Sequence, residues 1–517
     1  MDQIWMAFFA ITLSILFFIF KKSILQPKKH GKTPPPSPPS LPIIGHLHLL
    51  KNPKIHRSFQ QISLHYGSIF SLNLGIFPCI VISSPSAVEE CFTKNDVILA
   101  NRPRVLVGKH LHYEWTTLGA APYGPLWLNL RRLTTQELFS ANRMQSFACI
   151  RLEEVRSLVK GLFGSNKQDF VKVEMASKFS GLSLNILTRM LTGKRYYFSE
   201  NETDNNDDEN MNNQEEGKKF IGIMREVFEI SGVSNLVDCF PILRWFNIER
   251  KMVAIKNKMD TFLNHLIEEC RKNKNGCEAN ETAFIYKLLN LQELEPANYS
   301  DQIIKGIIMT MLIAGTDTSA ITIEWALSLL LNHPNVLHKA REEIDNHKAN
   351  TNELVQEVDL PKLPYIQCII NETLRLFPAA PLLVGHTPSE DITISGYHID
   401  KGKTILINAW AIHRDPNLWK DDHLKFRPER FEELKYDEHR FNFIPFGLGR
   451  RSCPGANLAN RVIGLTLATL IQCFDWKRVS EEKVDLSEGV GLTMPKVVPL
   501  EAMCKPRRSM IGVMANM

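Results

Sequence analysis

The chain has 517 residues, of which 44% are hydrophobic and 23% are charged, so it can build a large core and wholesale disorder is excluded. The net charge is only +5, and lysines and arginines are spread along the chain, which argues against a nucleic-acid-binding protein. The ten cysteines form no C-x-x-C pair and show no regular spacing. A disulfide framework and a zinc ribbon are therefore not indicated, and a reducing compartment is favoured.

The amino terminus carries an uncharged apolar run, Ile4 to Phe20, followed by a basic cluster that begins at Lys21. Its length lies at the short end of the membrane-spanning range, and the positive-inside rule keeps the basic flank cytoplasmic. A cleaved signal peptide is the competing interpretation, but there the basic residues precede the apolar run and small residues close it. We predict a retained, single-pass signal anchor over residues 1–24.

Two segments have the composition of linkers or loops. Residues 25–45 form a basic and proline-rich hinge, in which Thr33 to Gly45 reads TPPPSPPSLPIIG. The prolines favour a stiff, extended spacer, although the composition fits a flexible linker as well. Ser199 to Gly217 is acidic, rich in Asn and without apolar periodicity, so it is predicted to be a solvated loop.

The remaining chain alternates helical patterns, such as Arg151–Lys160 and Met252–Lys272, with short strand-like runs, such as Ile69–Leu74 and Ile80–Ser83. The predicted fold class is mainly α with a small β portion. Ile303 to Leu331 is apolar enough to resemble a second membrane span, but charged residues within it favour a buried core helix.

We therefore predict one large catalytic domain behind the anchor and the hinge. It is expected to occupy residues 46–505, and residues 506–517 form a tail.

A turn-rich loop near the carboxyl end, Phe446-Gly-Leu-Gly-Arg-Arg-Ser-Cys453-Pro-Gly455, leads into the helical pattern Ala456–Leu470. A cysteine at a helix N-terminus gains N–H donors and the positive end of the dipole, which favour the thiolate that a metal needs. Gly449 and Gly455 would permit positive φ and let the backbone approach a flat cofactor. A buried structural cysteine is the alternative, but the number of fixed residues in the loop argues against it.

This loop matches the haem-binding signature Phe-x-x-Gly-x-Arg-x-Cys-x-Gly at every position, and the chain thereby resembles the cytochrome P450 superfamily. The resemblance implies a haem b group whose iron is ligated by the thiolate of Cys453, within a loop that includes Phe446, Gly449 and Gly455. Arg451 could pair with a haem propionate.

Two other sequence features resemble propionate-binding positions of that family. Trp127-Leu-Asn-Leu-Arg131 matches the WxxxR helix, in which both side chains can reach one propionate because residues i and i+4 share a face. His386 stands where relatives often place a propionate-binding Arg or His.

Glu372-Thr-Leu-Arg375 matches the ExxR helix of the family, and Phe426-Arg-Pro-Glu-Arg430-Phe matches the segment whose Arg completes a buried Glu–Arg–Arg triad. At i,i+3 spacing Glu372 and Arg375 can pair. An isolated ExxR is usually an exposed ion pair of little energetic value. The order and spacing of these motifs before Cys453 favour the triad.

The long apolar helix contains Ala314-Gly-Thr-Asp317-Thr318-Ser, which resembles the oxygen-activation site of the family. The resemblance implies that Thr318 hydrogen-bonds at the oxygen-binding position and that Asp317 helps to deliver protons. Taken by itself, the segment would be the polar face of an amphipathic helix.

These motifs together most resemble plant microsomal members, in the group that includes isoflavone hydroxylases and sesamin synthase. The resemblance implies a monooxygenase that uses dioxygen to hydroxylate or ring-close a hydrophobic phenylpropanoid, flavonoid or lignan, with a terpenoid or alkaloid as the alternative. Leu128 and Gly385 stand where that group has Arg and Pro. The layout of the family places the pocket walls at Arg104–Trp115, Ile307–Thr318, Ala380–Val384 and Val490–Thr493.

No GxGxxG fingerprint follows a strand, so electrons are expected from a separate protein. The resemblance implies an NADPH-dependent flavoprotein reductase at the endoplasmic reticulum membrane. It would dock on the Cys453 side, where Arg131, Arg132, Arg450 and Lys420 supply positive charge, unless these form an ordinary solvated surface. A hydroperoxide isomerase or dehydratase and a non-catalytic haem sensor are alternatives. The Asp317–Thr318 pair argues against both, since neither requires proton delivery.

Overall fold

The computed structural model describes residues 5, 32–164, 169–197, 207–231, 236–240, 248–274, 282–349, 353–420, 422–433 and 440–517. The helices are α1 Ile55–Tyr66, α2 Pro85–Phe92, α3 Leu106–His110, α4 Pro125–Glu137, α5 Ala141–Ser146, α6 Ala148–Gly164, α7 Ala176–Thr192, α8 Asp207–Ile230, α9 Leu236–Cys239, α10 Ile248–Lys274, α11 Phe284–Leu294, α12 Asp301–Asn332, α13 Pro334–Lys348, α14 Pro364–Leu376, α15 Ala409–Ile412, α16 Pro416–Trp419, α17 Arg430–Glu433, α18 Ala456–Cys473 and α19 Ile511–Ala515. The strands are β1 Ile69–Leu74, β2 Phe77–Ile82, β3 Val171–Glu174, β4 Ile392–Ile394, β5 Tyr397–Ile399, β6 Thr404–Ile407, β7 Phe474–Lys477 and β8 Glu501–Pro506.

The fold class is mainly α with a small β portion, as predicted. The predicted anchor over residues 1–24 lies outside the described residues apart from Trp5.

The strands form three small sheets in the described part of the chain. Strand β2 pairs antiparallel with β1 and parallel with β6, β8 lies antiparallel between β3 and β7, and β4 and β5 form a hairpin. The run Ile69–Leu74 is strand β1, as predicted, and the run Ile80–Ser83 overlaps β2. The alternating burial of β1 explains this success, because one face of the strand packs on the core.

Helix α12 is the long core helix expected from the sequence. It is apolar on nearly all sides, with buried residues such as Ile307 and Met309 on different faces. Such a pattern is typical of a helix enclosed by other elements. Among the described residues it is the one helix long and apolar enough to cross a membrane, yet 72% of its most apolar stretch is buried. It packs against α7, α14 and α18, and so forms the centre of the domain.

The prediction of a loop over Ser199–Gly217 is wrong from Asp207 onward, because helix α8 begins there. Its later turns bury Phe220, Met224 and Val227, whose spacing gives one apolar stripe. That stripe lies beyond the acidic window from which the loop was predicted. The helix is therefore held by packing that local composition does not reveal.

The proline-rich segment is bound along the edge of the domain from residue 32 onward. The carbonyl oxygen of Pro36 accepts a hydrogen bond of 2.8 Å from the backbone N–H of Ser71, and that of Thr33 accepts one of 2.8 Å from His398. Lys32 forms an exposed ion pair of 3.3 Å with Asp391. This part of the predicted hinge is therefore attached to the fold.

We predict that His413 makes the fold sensitive to mild acid. The imidazole is fully buried, Nε2 accepts a hydrogen bond of 2.9 Å from the Ile444 N–H, and burial next to Arg375 and Arg414 lowers the pKa to about 3. The unfolded chain therefore binds a proton below pH ~6.5 that the folded chain cannot, and the free energy of unfolding should fall by ~1.4 kcal/mol per pH unit from ~6.5 towards 3.

His413→Gln keeps an acceptor for Ile444 and should remove this contribution from urea unfolding measured between pH 5 and 7. The matched control is His338→Gln, since His338 is 69% exposed. Equal pH slopes in the wild type and His413→Gln would contradict the prediction.

Candidate active site

The cysteine loop folds through a tight turn that ends at Cys453. Gly449 has φ +67°, and a Cβ on it would collide with the carboxylate of Asp96, which accepts a hydrogen bond of 3.0 Å from the Arg450 N–H. The N–H of Cys453 donates to the carbonyl oxygen of Phe446 at 2.9 Å. The turn therefore needs glycine at position 449, as predicted.

Gly455 behaves differently from the prediction. It precedes the first residue of α18 with φ −89°, so the expected positive φ is wrong. A Cβ there would lie 3.9 Å from Sγ of Cys453 and 3.6 Å from the ring of Phe139. Both distances are ordinary van der Waals contacts, so neither the backbone conformation nor the packing of the protein requires glycine at this position.

Cys453 lines a cavity of about 330 Å³ and is exposed to it. Burial raises the pKa of its thiol, whereas a hydrogen bond from the Gly455 backbone and the charge of Arg131 oppose the rise. The helix-terminus effect expected from the sequence is thus outweighed by desolvation. A metal ion would displace the proton directly, because coordination to a thiolate is linked to proton release.

Three guanidinium groups line the same cavity. Arg131 donates to the carbonyl oxygen of Ser452 at 2.8 Å, Arg451 to that of Ala100 at 2.6 Å, and Arg102 to those of Val384 and Gly385 at 2.9 Å. Burial lowers the pKa of Arg102 to about 10, and burial with the charges of Arg102 and Arg131 lowers that of Arg451 to about 9. Among the described residues, no carboxylate forms an ion pair with any of the three.

Trp127 and His386 lie beside this cluster on the cavity wall. The indole N–H of Trp127 donates to the carbonyl oxygen of Leu118 at 3.2 Å, and Nδ1 of His386 lies 2.9 Å from that of Leu99. Arg451 stacks over Trp127 at 4.3 Å from the ring centroid. Every propionate-binding residue predicted from the sequence therefore borders one cavity.

The donor set fits a haem. Three half-buried cations without a carboxylate partner in the described chain leave positive charge that a dianionic group would neutralise. Cys453 offers the one thiol on the wall, and the remaining wall is largely apolar, including Leu374, Leu458 and Val462. A flat apolar ring system with two anionic arms matches this arrangement.

Helix α12 borders the cavity with Ala314, Gly315 and Thr318. The hydroxyl of Thr318 donates to the carbonyl oxygen of Ala314 at 2.6 Å. Asp317 is partly buried, and its Oδ2 has no hydrogen-bond partner in the described chain. Burial raises the pKa of Asp317, while a hydrogen bond with Thr493 and the charge of Arg225 oppose the rise.

The cavity walls agree with two of the four predicted segments. Thr310 and Met311 on α12 and Leu383 and Val384 after α14 line it, whereas no residue of Arg104–Trp115 or Val490–Thr493 does. Helix α7 adds a wall that the sequence did not indicate, with Ser183, Ile186, Leu187, Met190 and Leu191. In the sequence these residues could not be distinguished from core residues, because cavity-lining and core positions have the same apolar composition.

Arg102 is the main residue that sequence reasoning missed. It lies in the segment Asn101-Arg-Pro-Arg104, and from the sequence it would be interpreted as one of two surface arginines that precede a helix. No local pattern separates it from Arg104, and only the tertiary contact with Val384 and Gly385 brings it to the cavity.

Glu372, Arg375 and Arg430 meet as the ExxR resemblance predicts. The guanidinium of Arg375 donates to both carboxylate oxygens of Glu372 at 2.6 and 2.8 Å, and Nε of Arg430 lies 3.4 Å from Oε1. Glu372 and Arg375 are fully buried. Arg375 also donates to the carbonyl oxygens of His413 and His423 at 2.7 Å, so the triad fixes the chain between α15 and α17.

Comparison with known proteins agrees with this geometry. The family model described as cytochrome P450 matches residues 35–499. The chain belongs to the cytochrome P450 family, and it is a haem-dependent monooxygenase of that family. It is similar to cytochrome P450 81Q32 of Catharanthus roseus, with 49% identity over 98% of both chains.

Two other relatives carry named activities. The (+)-piperitol/(+)-sesamin synthase of Sesamum radiatum is 46% identical over 98% of this chain and 97% of its own. The isoflavone 3'-hydroxylase of Medicago truncatula is 48% identical over 96% of this chain and 98% of its own. The group predicted from the motifs is thus confirmed.

We predict that Glu372→Gln destabilises the fold strongly. Arg375 and Arg430 would keep their charges while losing the carboxylate, and removal of one partner of a buried ion pair costs about 3–5 kcal/mol. Urea unfolding measures the change. Glu215→Gln is the control, because Glu215 forms an exposed i,i+4 pair with Lys219. A shift in the unfolding midpoint no larger than that of the control would disprove the structural importance of the triad.

We predict that Arg102→Gln weakens haem retention. The amide keeps much of the shape but removes one cation from the cluster, and the loss of a charged hydrogen bond corresponds to roughly tenfold faster haem release. Transfer of haem to apomyoglobin measures the rate. Arg104→Gln is the control, since Arg104 does not line the cavity. Equal transfer rates for the two variants would exclude Arg102 from haem binding.

Proposed function

We propose that the chain oxidises a hydrophobic plant metabolite, most closely a phenylpropanoid, flavonoid or lignan, with haem b ligated by Cys453. One observation carries this proposal: a single cavity is lined by Cys453 and by the α12 residues Ala314, Gly315 and Thr318. A ligand at the thiol would therefore share the cavity with the hydroxyl of Thr318.

When bound, the haem supplies activation of dioxygen and transfer of one oxygen atom to the substrate. The protein residues have separate tasks. Arg102, Arg131 and Arg451, with Trp127 and His386, would hold the propionates. Their positive charge is already assembled in the fold, so binding requires little reorganisation.

We propose that Asp317 and Thr318 of α12 take part in proton transfer. The raised pKa of Asp317 brings the titration of its carboxyl closer to neutrality, which suits a group that accepts and returns a proton. The hydroxyl of Thr318 borders the cavity one residue further along the helix. The hydroxyl now donates to the carbonyl oxygen of Ala314, and by rotating it would donate to an acceptor in the cavity instead.

The apolar wall supports a neutral, ring-bearing substrate. Ile186, Leu187 and Met311 contribute aliphatic or thioether surface, and no carboxylate lines the described cavity. The names of the isoflavone hydroxylase and the sesamin synthase favour phenylpropanoid-derived compounds. A terpenoid or alkaloid is the alternative within the same chemistry, because a few side chains decide substrate choice on a shared fold.

Electrons are proposed to come from NADPH through a separate flavoprotein reductase. Arg132, Arg450 and Lys420 are exposed and would supply positive charge for docking. Arg131 is unsuited to this task, because it points towards Ser452. We further propose that residues 1–24 anchor the chain in the endoplasmic reticulum membrane, with the catalytic domain cytoplasmic.

We predict that microsomes containing this protein and a reductase will oxidise a member of one compound class when supplied with NADPH and labelled dioxygen. The panel contains isoflavones, lignans, terpenoids and alkaloids, and mass spectrometry measures the gain of labelled oxygen or the loss of two hydrogens. Cys453→Ser should abolish the product, because a hydroxyl is a poor replacement for a thiolate ligand.

The alternatives give different results. Rearrangement of a hydroperoxide without NADPH would identify an isomerase or dehydratase, and haem binding without any turnover would indicate a sensor. Oxidation of a terpenoid or alkaloid alone would keep the monooxygenase and reject the phenylpropanoid class.

A further inference from the structure

A buried carboxylate outside the haem cavity joins three parts of the chain. Glu488 is 1% exposed, and its Oε2 accepts hydrogen bonds from Nε2 of His56 at 3.1 Å and Nε of Arg57 at 2.8 Å. Oε1 accepts one from the indole N–H of Trp410 at 3.0 Å, and the guanidinium of Arg414 lies at 3.8 Å. Helix α1 and the α15 region are thus tied to residue 488.

This carboxylate is charged at neutral pH. Burial would raise the pKa of Glu488, but the hydrogen bonds from His56 and Arg57 and the charge of Arg414 hold it well below its usual range. Burial lowers the pKa of His56 itself, so the imidazole is a neutral donor. Removing a buried charge of this kind leaves its cationic partners uncompensated.

Glu488 stands at the base of a hairpin, which we call the 488–496 hairpin. Glu488 and Lys496 face each other in an antiparallel bridge, and the N–H of Gly489 donates to the carbonyl oxygen of Pro495 at 2.7 Å. Lys496 lies over the ring of Trp325 at 4.8 Å. The two charged side chains at the base therefore contact different parts of the domain.

The carboxyl-terminal arm of the 488–496 hairpin contacts the wall of the haem cavity. The N–H of Met494 donates to the carbonyl oxygen of Ala379 at 3.0 Å, and the carbonyl oxygen of Met494 accepts from the indole N–H of Trp325 at 2.9 Å. Ala379 lines the haem cavity, and Trp325 belongs to α12, other residues of which line it. The hairpin thus contacts two of the elements that form the cavity wall.

A small cavity of about 30 Å³ lies between the hairpin, Pro53–His56 and Pro381–Leu383. Leu383 lines this cavity and the haem cavity, and it has φ +52°, a left-handed conformation that costs a non-glycine residue energy. The strained backbone at Leu383 must be held by its neighbours, and the hairpin is one of them.

We propose that Glu488 is a positioning residue for the oxidation site: its buried carboxylate fixes the 488–496 hairpin against the segment Ala379–Leu383 and thereby sets which substrate atom is oxidised. The inference rests on the proposed oxidation of a small molecule in the haem cavity. It adds a specificity-determining residue that does not touch the substrate.

The test uses two variants of the haem-loaded chain and one control. Glu488→Gln keeps the acceptor for Trp410 but removes the charge. Arg57→Gln removes one partner that is 44% exposed, so this variant should fold even if the first does not. The control is Glu357→Gln, because Glu357 is another buried carboxylate, held by Arg151 and Arg461, and it does not line the haem cavity.

Amide hydrogen exchange provides the first measurement. Exchange of the Gly489 and Met494 amides should rise roughly tenfold in Glu488→Gln and less in Arg57→Gln, since each hydrogen bond depends on the fixed hairpin. Glu357→Gln should leave both amides unchanged. Unchanged exchange at these amides in both test variants would overturn the inference, whichever substrate the protein takes.

The ratio of product regioisomers provides the second measurement, for the compound of the panel that is turned over. The ratio should shift in both test variants and stay at the wild-type value in Glu357→Gln, although Glu357→Gln is destabilised as well. An unchanged ratio alongside faster exchange would overturn the positioning role. If no compound is oxidised, the proposed function fails, and the exchange experiment alone decides whether Glu488 holds the hairpin.

Discussion

The pairing of Glu372 with Arg375 in the protein interior is the interaction on which the haem side of the domain depends. Arg375 extends from the carboxylate to the carbonyl oxygen of His413 at 2.7 Å. His413 in turn accepts the N–H of Ile444, two residues before Phe446, whose carbonyl oxygen binds the N–H of Cys453. Hydrogen bonds and short chain segments therefore link a structural ion pair to the backbone of the cysteine that would ligate iron.

Buried charge is compensated differently in different parts of the molecule. Glu372, Glu488 and Glu357 are each surrounded by cationic partners from the chain itself. Arg102, Arg131 and Arg451 have no such partner among the described residues, and burial together with the charges of Arg102 and Arg131 lowers the pKa of Arg451. The paired carboxylates stabilise the fold, whereas the three arginines are charges that an anionic ligand would neutralise.

The sequence patterns located residues that the structure brings to one place. Cys453 and Thr318 line the same cavity, and Glu372 pairs with Arg375, because each lies in a local pattern of fixed spacing. Asp317 is not among the residues that line the cavity, so its role stays a prediction. Arg102 and the α7 wall were missed, because only tertiary packing distinguishes them from surface or core residues. Helix α8 was missed for a related reason, since its apolar stripe begins after the acidic segment.

The proline-rich segment has a consequence for where the chain enters the domain. Hydrogen bonds from Ser71 and His398 hold the backbone at Pro36 and Thr33, and Lys32 contacts Asp391. These contacts hold residue 32 beside the β4–β5 hairpin. They thereby define the edge of the domain at which the proline-rich segment enters it.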